Sequence, residues 1–520
     1  MTASAVAIRR WGARARAYPT GVAAFSLLVA LLALVPLFFV AWFSASVGFD
    51  EARRLIFRPR VGELLRNTVT LTVATTLLCA VVGTGAAWLV ERTSLPGRRL
   101  WHVLLAAPLA VPAFVNSFGW VSLTASVQGY AGAVLVVTLS YFPLVYLPVA
   151  ATLHGLDPAL EESAQALGHG PVRTFARVVV PQLRPAMLGG MLLVGLHLLA
   201  EFGALQMLRF PTFTTGIYEQ YQATFGGPAA TMLASVLVLL CLLLLLAELW
   251  MRGRHRYARL GSGAARPAAR VQLGRYTPLA LGSVAGLTAL ALGVPLGSLL
   301  YWLAIGSSTT FPLGELATAA LTSVGLGAAG AVVTTLLAIP VAWLAVRHRS
   351  RFSTVVERST YFGHALPGIV VALALVTISI RYAQPIYQTT TLLIVAYAVL
   401  FLPLSMVSVQ SALVQAPPSL DDAARSLGTG RLGVLRRVTL PLVAPGLGAG
   451  AALVFLAVVT ELTATLLLAP IGTTTLATQF WSNSDSIAYG AAAPYAALMV
   501  GISIPASYLL TRFSKKVTPR

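Results

Sequence analysis

Two glutamates and one histidine in apolar stretches are the residues of this chain best suited to chemistry. Glu201 and Glu461 stand 260 positions apart, and His197 precedes Glu201 by one helical turn, so these two share a helix face. Their oxygens and nitrogen could bind a passing cation, with Glu201 and Glu461 as transient metal ligands. The alternative is structural: each glutamate is protonated or bonded to a neighbouring helix end, and His197 is a packed core residue.

A short acidic stretch also occurs twice, at the same offset of 260 residues. The copies are Glu161-Glu162-Ser163-Ala164-Gln165-Ala166-Leu167-Gly168 and Asp421-Asp422-Ala423-Ala424-Arg425-Ser426-Leu427-Gly428. The acids suit the positive end of a helix dipole, the small residues leave a thin face, and the glycine ends the helix. Each copy therefore predicts a short helix that can dock into a groove of another protein.

Composition indicates that the chain lies in a membrane. Hydrophobic residues make up 57%, charged residues 10%, and the mean hydropathy is +0.81, which is more apolar surface than a soluble core can bury. A formal charge of +20 would suggest nucleic acid in a soluble protein. Here the basic residues stand in short clusters between apolar runs, as the positive-inside rule predicts for cytoplasmic loops. We therefore expect a lipid bilayer, and no nucleic acid, as a partner.

The apolar runs predict an all-α polytopic membrane protein of about twelve transmembrane helices in two tandem six-helix repeats. The runs are 21–43, 64–90, 100–125, 131–153, 183–207, 229–250, 276–304, 318–346, 356–380, 389–412, 443–468 and 490–511. An even number of spans in each half gives both copies one orientation, both termini in the cytoplasm, and a substrate path between the halves. The basic loop 44–66 is the one segment whose charge disagrees with its expected external side.

This organisation divides the chain into two permease halves joined by a linker. The first half is 1–250 with an acidic loop at 157–181, the basic cytoplasmic linker is 251–275, and the second half is 276–520 with an acidic loop at 417–441. Each glutamate lies 20 residues beyond Pro181 or Pro441. At about 1.5 Å per residue this is roughly 30 Å of helix, so Glu201 and Glu461 should lie in the outer part of their spans. An ionisable group at that depth is costly and by default marks a pathway or a buried pair.

The sequence excludes two kinds of site. The only lysines are Lys515 and Lys516, so no Gly-rich loop ending in Gly-Lys-Ser/Thr can bind ATP on this chain. Cys79 and Cys241 both lie in apolar runs, without a disulfide framework or a thiol metal site at recognisable spacing. We therefore expect no cofactor on this chain.

The spacing of the acidic stretches, with Gly168 and Gly428 followed by Val180-Pro181 and Leu440-Pro441, resembles the EAA motif of bacterial ABC importer permeases. Within that family, the fused two-half arrangement is similar to the ferric iron permeases and the related thiamine permeases. The stretches that resemble the ferric iron branch are Glu461 to Pro470 with Thr475 to Trp481, and Phe202-Gly203-Ala204 with Phe213 to Tyr218.

This resemblance implies the type I ABC importer permease fold in a bacterial cytoplasmic (inner) membrane. It implies a complex with two copies of a cytoplasmic ATPase, which would carry ATP and Mg, and an external binding protein that delivers the substrate. By the same resemblance, the residues that couple the permease to the ATPase are Glu161, Glu162, Ala164, Gly168, Asp421, Asp422, Ala424 and Gly428.

Alternatives remain within and outside this class. The substrate could be thiamine or a small organic anion such as a phosphonate, although an anion would favour basic groups in the path, and the spans offer few. A secondary transporter driven by an ion gradient also has two halves, but it leaves the paired acidic stretches unexplained. An intramembrane enzyme would need a catalytic motif that the spans do not contain.

Overall fold

A computed structural model describes residues 20–156, 159–224, 228–252, 270–305 and 311–517 of the chain. Within these ranges the regular structure is helical, and the one β-type contact is an isolated bridge between Thr93 and Val271. A bilayer imposes this, because every backbone N–H and C=O in the apolar layer must be bonded within its own segment. The prediction of an all-α polytopic protein is confirmed. Most of the predicted linker, residues 253–269, lies outside the described residues.

The described part of the first half contains thirteen helices. They are α1 (Thr20–Ser46), α2 (Phe49–Ile56), α3 (Pro59–Arg92), α4 (Arg98–Ala106), α5 (Ala113–Val121), α6 (Tyr130–Tyr141), α7 (Pro143–Gly155), α8 (Ala159–Ala166), α9 (Pro171–Thr174), α10 (Val180–Ala200), α11 (Gly203–Met207), α12 (Phe213–Thr224) and α13 (Pro228–Arg252). Helix α2 lies in the basic loop 44–66, whose positive charge disagrees with its expected external side.

The described part of the second half repeats this order with twelve helices. They are α14 (Thr277–Thr288), α15 (Val294–Ile305), α16 (Leu313–Arg347), α17 (Arg351–Ala365), α18 (Gly368–Tyr382), α19 (Thr390–Gln415), α20 (Pro418–Ser426), α21 (Arg431–Val434), α22 (Leu440–Val459), α23 (Thr463–Leu468), α24 (Leu476–Asp485) and α25 (Tyr489–Val517). Widened π-type turns at 175–179 and 435–439 precede Pro181 and Pro441, whose missing N–H they accommodate.

The described residues contain fewer straight spans than the twelve predicted. Nine helical stretches are long and apolar enough to cross a membrane, or up to eleven if each of two bent helix pairs counts as one span. The bent pairs replace the predicted spans 100–125 and 356–380. Predicted span 490–511 lies within α25 (Tyr489–Val517). Two other predicted spans run too far, because the helices of 183–207 and 443–468 end at Ala200 and Val459, just before Glu201 and Glu461.

Proline explains where the two bent pairs break. The chain turns by 92° between α4 and α5, next to Pro112, and by 100° between α17 and α18, next to Pro367. Proline cannot donate a backbone hydrogen bond and disfavours helical geometry in the residue before it. Equivalent prolines in the two halves therefore give equivalent bends.

Each half has a three-helix core. In the first half α3, α7 and α10 pack through fully buried Ala87, Tyr146 and Leu183. Helices α16, α19 and α22 form the matching core of the second half. Gly83 allows close packing, because a Cβ there would lie 2.9 Å from the Phe142 carbonyl oxygen. Small residues at such contacts are typical of helices packed in membranes.

The first helices of each half cross over to the other half. Val29, Ala30 and Ala33 of α1 pack against second-half helices, α16 among them. Conversely, α15 packs against α5, where Gly119 faces Pro295 and the Ser122 and Ser298 hydroxyls are 2.8 Å apart. The halves therefore exchange their first spans.

Gly119 provides a test of this exchange. A Cβ on Gly119 would lie 2.5 Å from the Cα of Pro295, so Gly119→Ala forces α5 and α15 apart. We expect a loss of about 1–3 kcal/mol of stability, the usual cost of overpacking. Thermal unfolding of the purified protein in detergent measures it. Gly325→Ala is the control, because nothing lies within 4 Å of that Cβ. An unchanged melting temperature for Gly119→Ala would contradict the contact.

Candidate functional site

Both acidic stretches form the short helices that the sequence predicts. Helices α8 and α20 end next to Gly168 and Gly428, which have φ of +84° and +82°. His169 N–H donates to the Ala164 carbonyl and Thr429 N–H to the Ala424 carbonyl, each at 3.1 Å. This is the six-to-one bond of a Schellman cap, which requires a left-handed residue and therefore favours glycine.

One acid of each helix is anchored to the end of a long span. Glu161 lies 2.9 Å from Arg92, the last residue of α3, and Asp421 lies 3.5 Å from Arg347, the last residue of α16. The arginine side chains are only 7% and 8% exposed. Since α8 and α20 have eight and nine residues, too few for stable isolated helices, these pairs help hold them in place.

The surroundings of the two pairs differ in detail. Burial raises the pKa of the Glu161 carboxyl, Arg92 opposes that rise, and the adjacent Glu162 adds to it. Asp421 instead accepts a further hydrogen bond from the Thr439 hydroxyl at 2.9 Å. Arg92 is therefore the neighbour that favours the charged form of Glu161.

Sequence reasoning missed Arg92 and Arg347 as functional partners. The sequence held a signal, because the two arginines are 255 residues apart, the same offset as Trp88 and Trp343. The chain has many arginines in its loops, and nothing else in the sequence distinguishes these two from the others. In the sequence, Arg92 is 69 positions from Glu161, and Arg347 is 74 positions from Asp421. Only the fold brings the members of each pair into contact.

Other residues of each short helix, and the leucine that follows it, are exposed. Leu167 and Leu427, at equivalent places beside the terminal glycines, are 81% and 85% exposed. Glu162 is exposed as well, and Asp422 is half exposed and lies 3.5 Å from Arg425. Each short helix thus carries an exposed acid and is followed by an exposed leucine, a pattern suited to a partner groove with an apolar floor and a basic rim. Of the remaining predicted residues, Ala164 is buried and Ala424 half-buried.

Glu201 and Glu461 follow the ends of α10 and α22, and each caps the short helix that comes next. Oε1 of Glu201 accepts from the Ala204 N–H and Oε1 of Glu461 from the Ala464 N–H, both at 2.9 Å. A carboxylate at a helix N-terminus meets unpaired N–H groups and the positive end of the dipole. One oxygen of each carboxyl is therefore engaged in positioning the chain.

The other contacts of the glutamates differ between the halves. The Tyr141 hydroxyl donates to Oε2 of Glu201, and the Tyr141 ring centre lies 5.5 Å from that of His197. His197 Nδ1 is 2.8 Å from the Leu193 carbonyl oxygen in its own helix. Beside Glu461, the Thr465 hydroxyl donates to the glutamate's own carbonyl at 2.8 Å.

The two glutamate segments meet where the halves meet. A Cβ on Gly203 would lie 2.9 Å from Leu462, and one on Gly368 would lie 3.1 Å from Oε1 of Glu461. Within the described ranges, no group of three or more His, Cys, Asp or Glu side chains is arranged to hold a metal ion. The structure therefore does not bring His197, Glu201 and Glu461 together as a three-ligand set.

A small cavity of about 80 Å³ lies between the halves, on the side of the glutamates away from α8 and α20. Its polar lining includes Gln128 and Gln206 of the first half and Asp485 of the second. Ser484 also lines it, and its buried hydroxyl has no hydrogen-bond partner among the described residues. Phe202 and Trp481, with ring centres 5.2 Å apart, pack between the halves beside it. Sequence reasoning did not identify this cavity.

Comparison with known proteins gives one family for both halves. A model of binding-protein-dependent transport system inner membrane components matches residues 64–256 and 336–519. The Fe(3+)-transport system permease protein FbpB 2 of Haemophilus influenzae is 38% identical over 494 residues, covering 94% of this chain and 97% of that protein.

Other relatives correspond to part of this chain. The sulfate transport system permease protein CysT of Escherichia coli is 30% identical over 241 residues, which is 42% of this chain and 86% of that protein. The molybdate/tungstate transport system permease protein WtpB of Pyrococcus furiosus is 25% identical over 46% of this chain and 95% of that protein. Less than half of this chain thus corresponds to nearly the whole of a shorter relative.

Arg347 allows a test of the anchoring pair. Replacing it with glutamine leaves Asp421 without its cation, at a cost of about 1–3 kcal/mol for a largely buried group. We expect amide hydrogen exchange across α20 to rise at least about fivefold, because exchange follows local opening. Arg425→Gln, in the same helix, is the matched control: its pair with Asp422 is about half exposed and worth little. Equal exchange in the two variants would show that Arg347 does not hold α20.

Proposed function

This chain belongs to the family of binding-protein-dependent transport system inner membrane components, and we propose that it is the fused, two-half permease of an ATP-driven importer for ferric iron. The observation that supports this most is the 38% identity to a ferric iron permease over nearly the full length of both chains. The chain is a multi-pass inner membrane protein and a non-catalytic component. ATP hydrolysis, with ATP and Mg, is assigned to a separate subunit.

In this proposal α8 and α20 each dock into one copy of a cytoplasmic ATPase. Their exposed acids and the leucines that follow them are equivalent in the two halves, so two identical subunits can bind them. Both helices then lie on the cytoplasmic side, with both termini, and the linker 251–275 joins 1–250 to 276–520 on that side. The membrane is the cytoplasmic membrane of a bacterium, and an external binding protein approaches the opposite face.

The anchoring pairs supply the mechanical connection. When ATP closes the ATPase dimer, α8 and α20 move together, and the pairs to Arg92 and Arg347 pass that displacement to the ends of α3 and α16. Because these two helices are 34 and 35 residues long, they extend the movement across the bilayer. The halves then open outward, accept cargo from the binding protein, and release it inward after hydrolysis.

The cargo path is proposed to pass Glu201 and Glu461. Carboxylate oxygens suit a hard ion such as ferric iron, and in each glutamate the helix cap engages only one of the two oxygens. Tyr141 lies at this oxygen of Glu201 and is the first group that an arriving ion would displace. Capping and pathway roles are thus compatible in one side chain.

Leu167 and Leu427 test the docking role. Changing both to aspartate places charge on residues that are more than 80% exposed, so the permease should still fold and insert. If both leucines sit in ATPase grooves, co-purification of the ATPase should fall about tenfold or more, since two buried apolar contacts are lost. Ile471→Asp, at a residue 86% exposed on the opposite side, is the control and should co-purify normally. Normal ATPase binding by the double variant would refute the docking assignment.

ATP hydrolysis by the complex in lipid nanodiscs tests the substrate. The binding protein is supplied empty or loaded with ferric iron, thiamine or sulfate, and we expect stimulation by the iron-loaded form alone. Stimulation by the thiamine- or sulfate-loaded protein would overturn ferric iron as the substrate, but the assignment as an ATP-driven importer would stand. Transport that is driven by an ion gradient without ATP would instead favour a secondary transporter.

The same complex tests the two glutamates. In Glu201→Gln with Glu461→Gln each amide oxygen still accepts the capping hydrogen bond, while the charge is lost and the amide NH2 at position 201 faces the Tyr141 hydroxyl as a donor instead of an acceptor. We expect uptake of ferric iron into proteoliposomes to fall about tenfold or more, as for the loss of groups around a metal path. Glu219→Gln, an exposed residue paired with Arg60, is the control. An unchanged uptake rate would exclude both glutamates from the cargo path and leave helix capping as their role.

A further inference from the structure

A groove of about 430 Å³ lies between α1 and α18, near the ends of both helices. One wall is apolar and comes from α1, with Phe38 and Trp42 as its most exposed members, at 67% and 62%. The other wall comes from α18 and includes Ile378, Arg381 and Tyr382. It is a surface site at the place where the first span of one half crosses onto the other half.

Arg381 is the single charged residue in the lining. Its guanidinium lies 5.0 Å from the centre of the Phe43 ring, a cation–π contact that holds it at the edge of the groove. Among the described residues no carboxylate forms an ion pair with it. The groove thus combines a long apolar wall with one exposed cation at its end.

The packing of α1 shows which end of the molecule this is. The first part of α1 packs, through Val29 and Ala33, in the same cluster as Leu413 and Ala416, close to the anchored helix α20. Its last part packs through Phe39 and Phe43 against Ala374. The groove therefore lies at the end of α1 away from the acidic helices, at the level where aromatic and basic side chains meet lipid headgroups.

At the second crossover, the described residues of α15 and α5 pack directly on each other. The sequence Val35-Pro36-Leu37 of α1 recurs as Val294-Pro295-Leu296 of α15, so the two crossing helices are comparable. On the α15 side the space is closed, because Gly119 packs directly on Pro295 and Ser122 bonds Ser298. The position after the shared motif is Gly297 in α15 but Phe38 in α1, and the large rings of α1 form an open wall. The groove is therefore not a general consequence of the fold.

We propose that this groove binds one glycerophospholipid of the outer leaflet, with an acyl chain along Phe38 and Trp42 and the phosphate paired with Arg381. The volume of the groove falls within the usual range for ligand sites. The lipid phosphate would be the anionic partner of Arg381, which forms no ion pair with a carboxylate among the described residues. A bilayer offers such molecules at this depth. The choice of leaflet rests on the proposed orientation of the chain; the site itself does not depend on the proposed function.

The position gives the lipid a structural role. It touches α1 of the first half and α18 of the second, and α18 is the outer arm of the pair bent by 100°. A molecule seated there contacts the end of α18 that lies away from this bend. It would accordingly support the α1 crossover where protein side chains leave it open.

Native mass spectrometry of the complex with its ATPase subunits tests the site. The delipidated complex is titrated with palmitoyl-oleoyl phosphatidylglycerol, and the tightest binding event is compared among variants. Arg381→Gln should weaken it about fivefold, the factor for one basic residue at a lipid surface, whereas Arg381→Lys should retain it. Arg53→Gln, an exposed basic residue of α2 outside the groove, is the matched control and should bind as the unmodified protein does.

Two further measurements separate the parts of the site. Val35→Trp adds a ring to the apolar wall and should remove the tight event even with Arg381 present. Palmitoyl-oleoyl glycerol, which has the chains but no phosphate, should bind at least fivefold more weakly and be insensitive to Arg381→Gln. The proposal fails if Arg381→Gln and Val35→Trp both bind phosphatidylglycerol normally, or if the phosphate-free lipid binds equally well. ATP hydrolysis by each variant verifies that the complex is folded.

Discussion

A nearly buried arginine paired with a carboxylate beside the acidic helix of each half is the interaction on which the rest of this molecule depends. The acidic helices are too short to hold their own shape, and a Schellman cap alone cannot fix them against the membrane helices. Arg92 and Arg347 supply that attachment at the last residue of the two longest helices. An ion pair of this kind is sensitive to geometry, because each partner is costly once separated from the other. This makes it suitable for transmitting a displacement.

The second constraint is the need to satisfy backbone groups inside an apolar layer. Where α10 and α22 end, unpaired N–H groups of the next helix would be exposed to hydrocarbon, and a glutamate oxygen satisfies one of them in each half. Charge at this depth is thus first a consequence of broken helices. The bends beside Pro112 and Pro367 leave similar breaks close to these glutamates, since a Cβ on Gly203 would lie 2.9 Å from Phe114 and one on Gly368 would lie 3.1 Å from Oε1 of Glu461. Broken helices and ionisable groups therefore concentrate along the boundary between the halves.

The architecture could be predicted from the sequence because it is encoded by short-range signals, and these signals occur once in each half. The acidic stretches, the terminal glycines and the prolines are short-range signals, and their recurrence at fixed offsets reveals the tandem halves. What could not be predicted depends on distant contacts. Nothing near Arg92 distinguishes it from Arg98 or Arg99 until α8 lies against it, and hydropathy does not show that α1 packs on the other half. A bend inside an apolar run does not change its hydropathy, so the sequence predicts straight spans at 100–125 and 356–380, where the structure has bent helix pairs.

The isolated bridge beside Arg92 bears on what the covalent connection between the halves contributes. Val271 N–H donates to the Arg92 carbonyl at 2.9 Å, and Ser94 N–H to the Val271 carbonyl at 3.1 Å. The last part of the linker is thus hydrogen-bonded to the residue whose side chain pairs with Glu161. The two halves are therefore held in register by noncovalent contacts, these hydrogen bonds and the exchanged first spans among them, as well as by the peptide that joins them. Gene fission at this point would yield two polypeptides that still carry complementary ends.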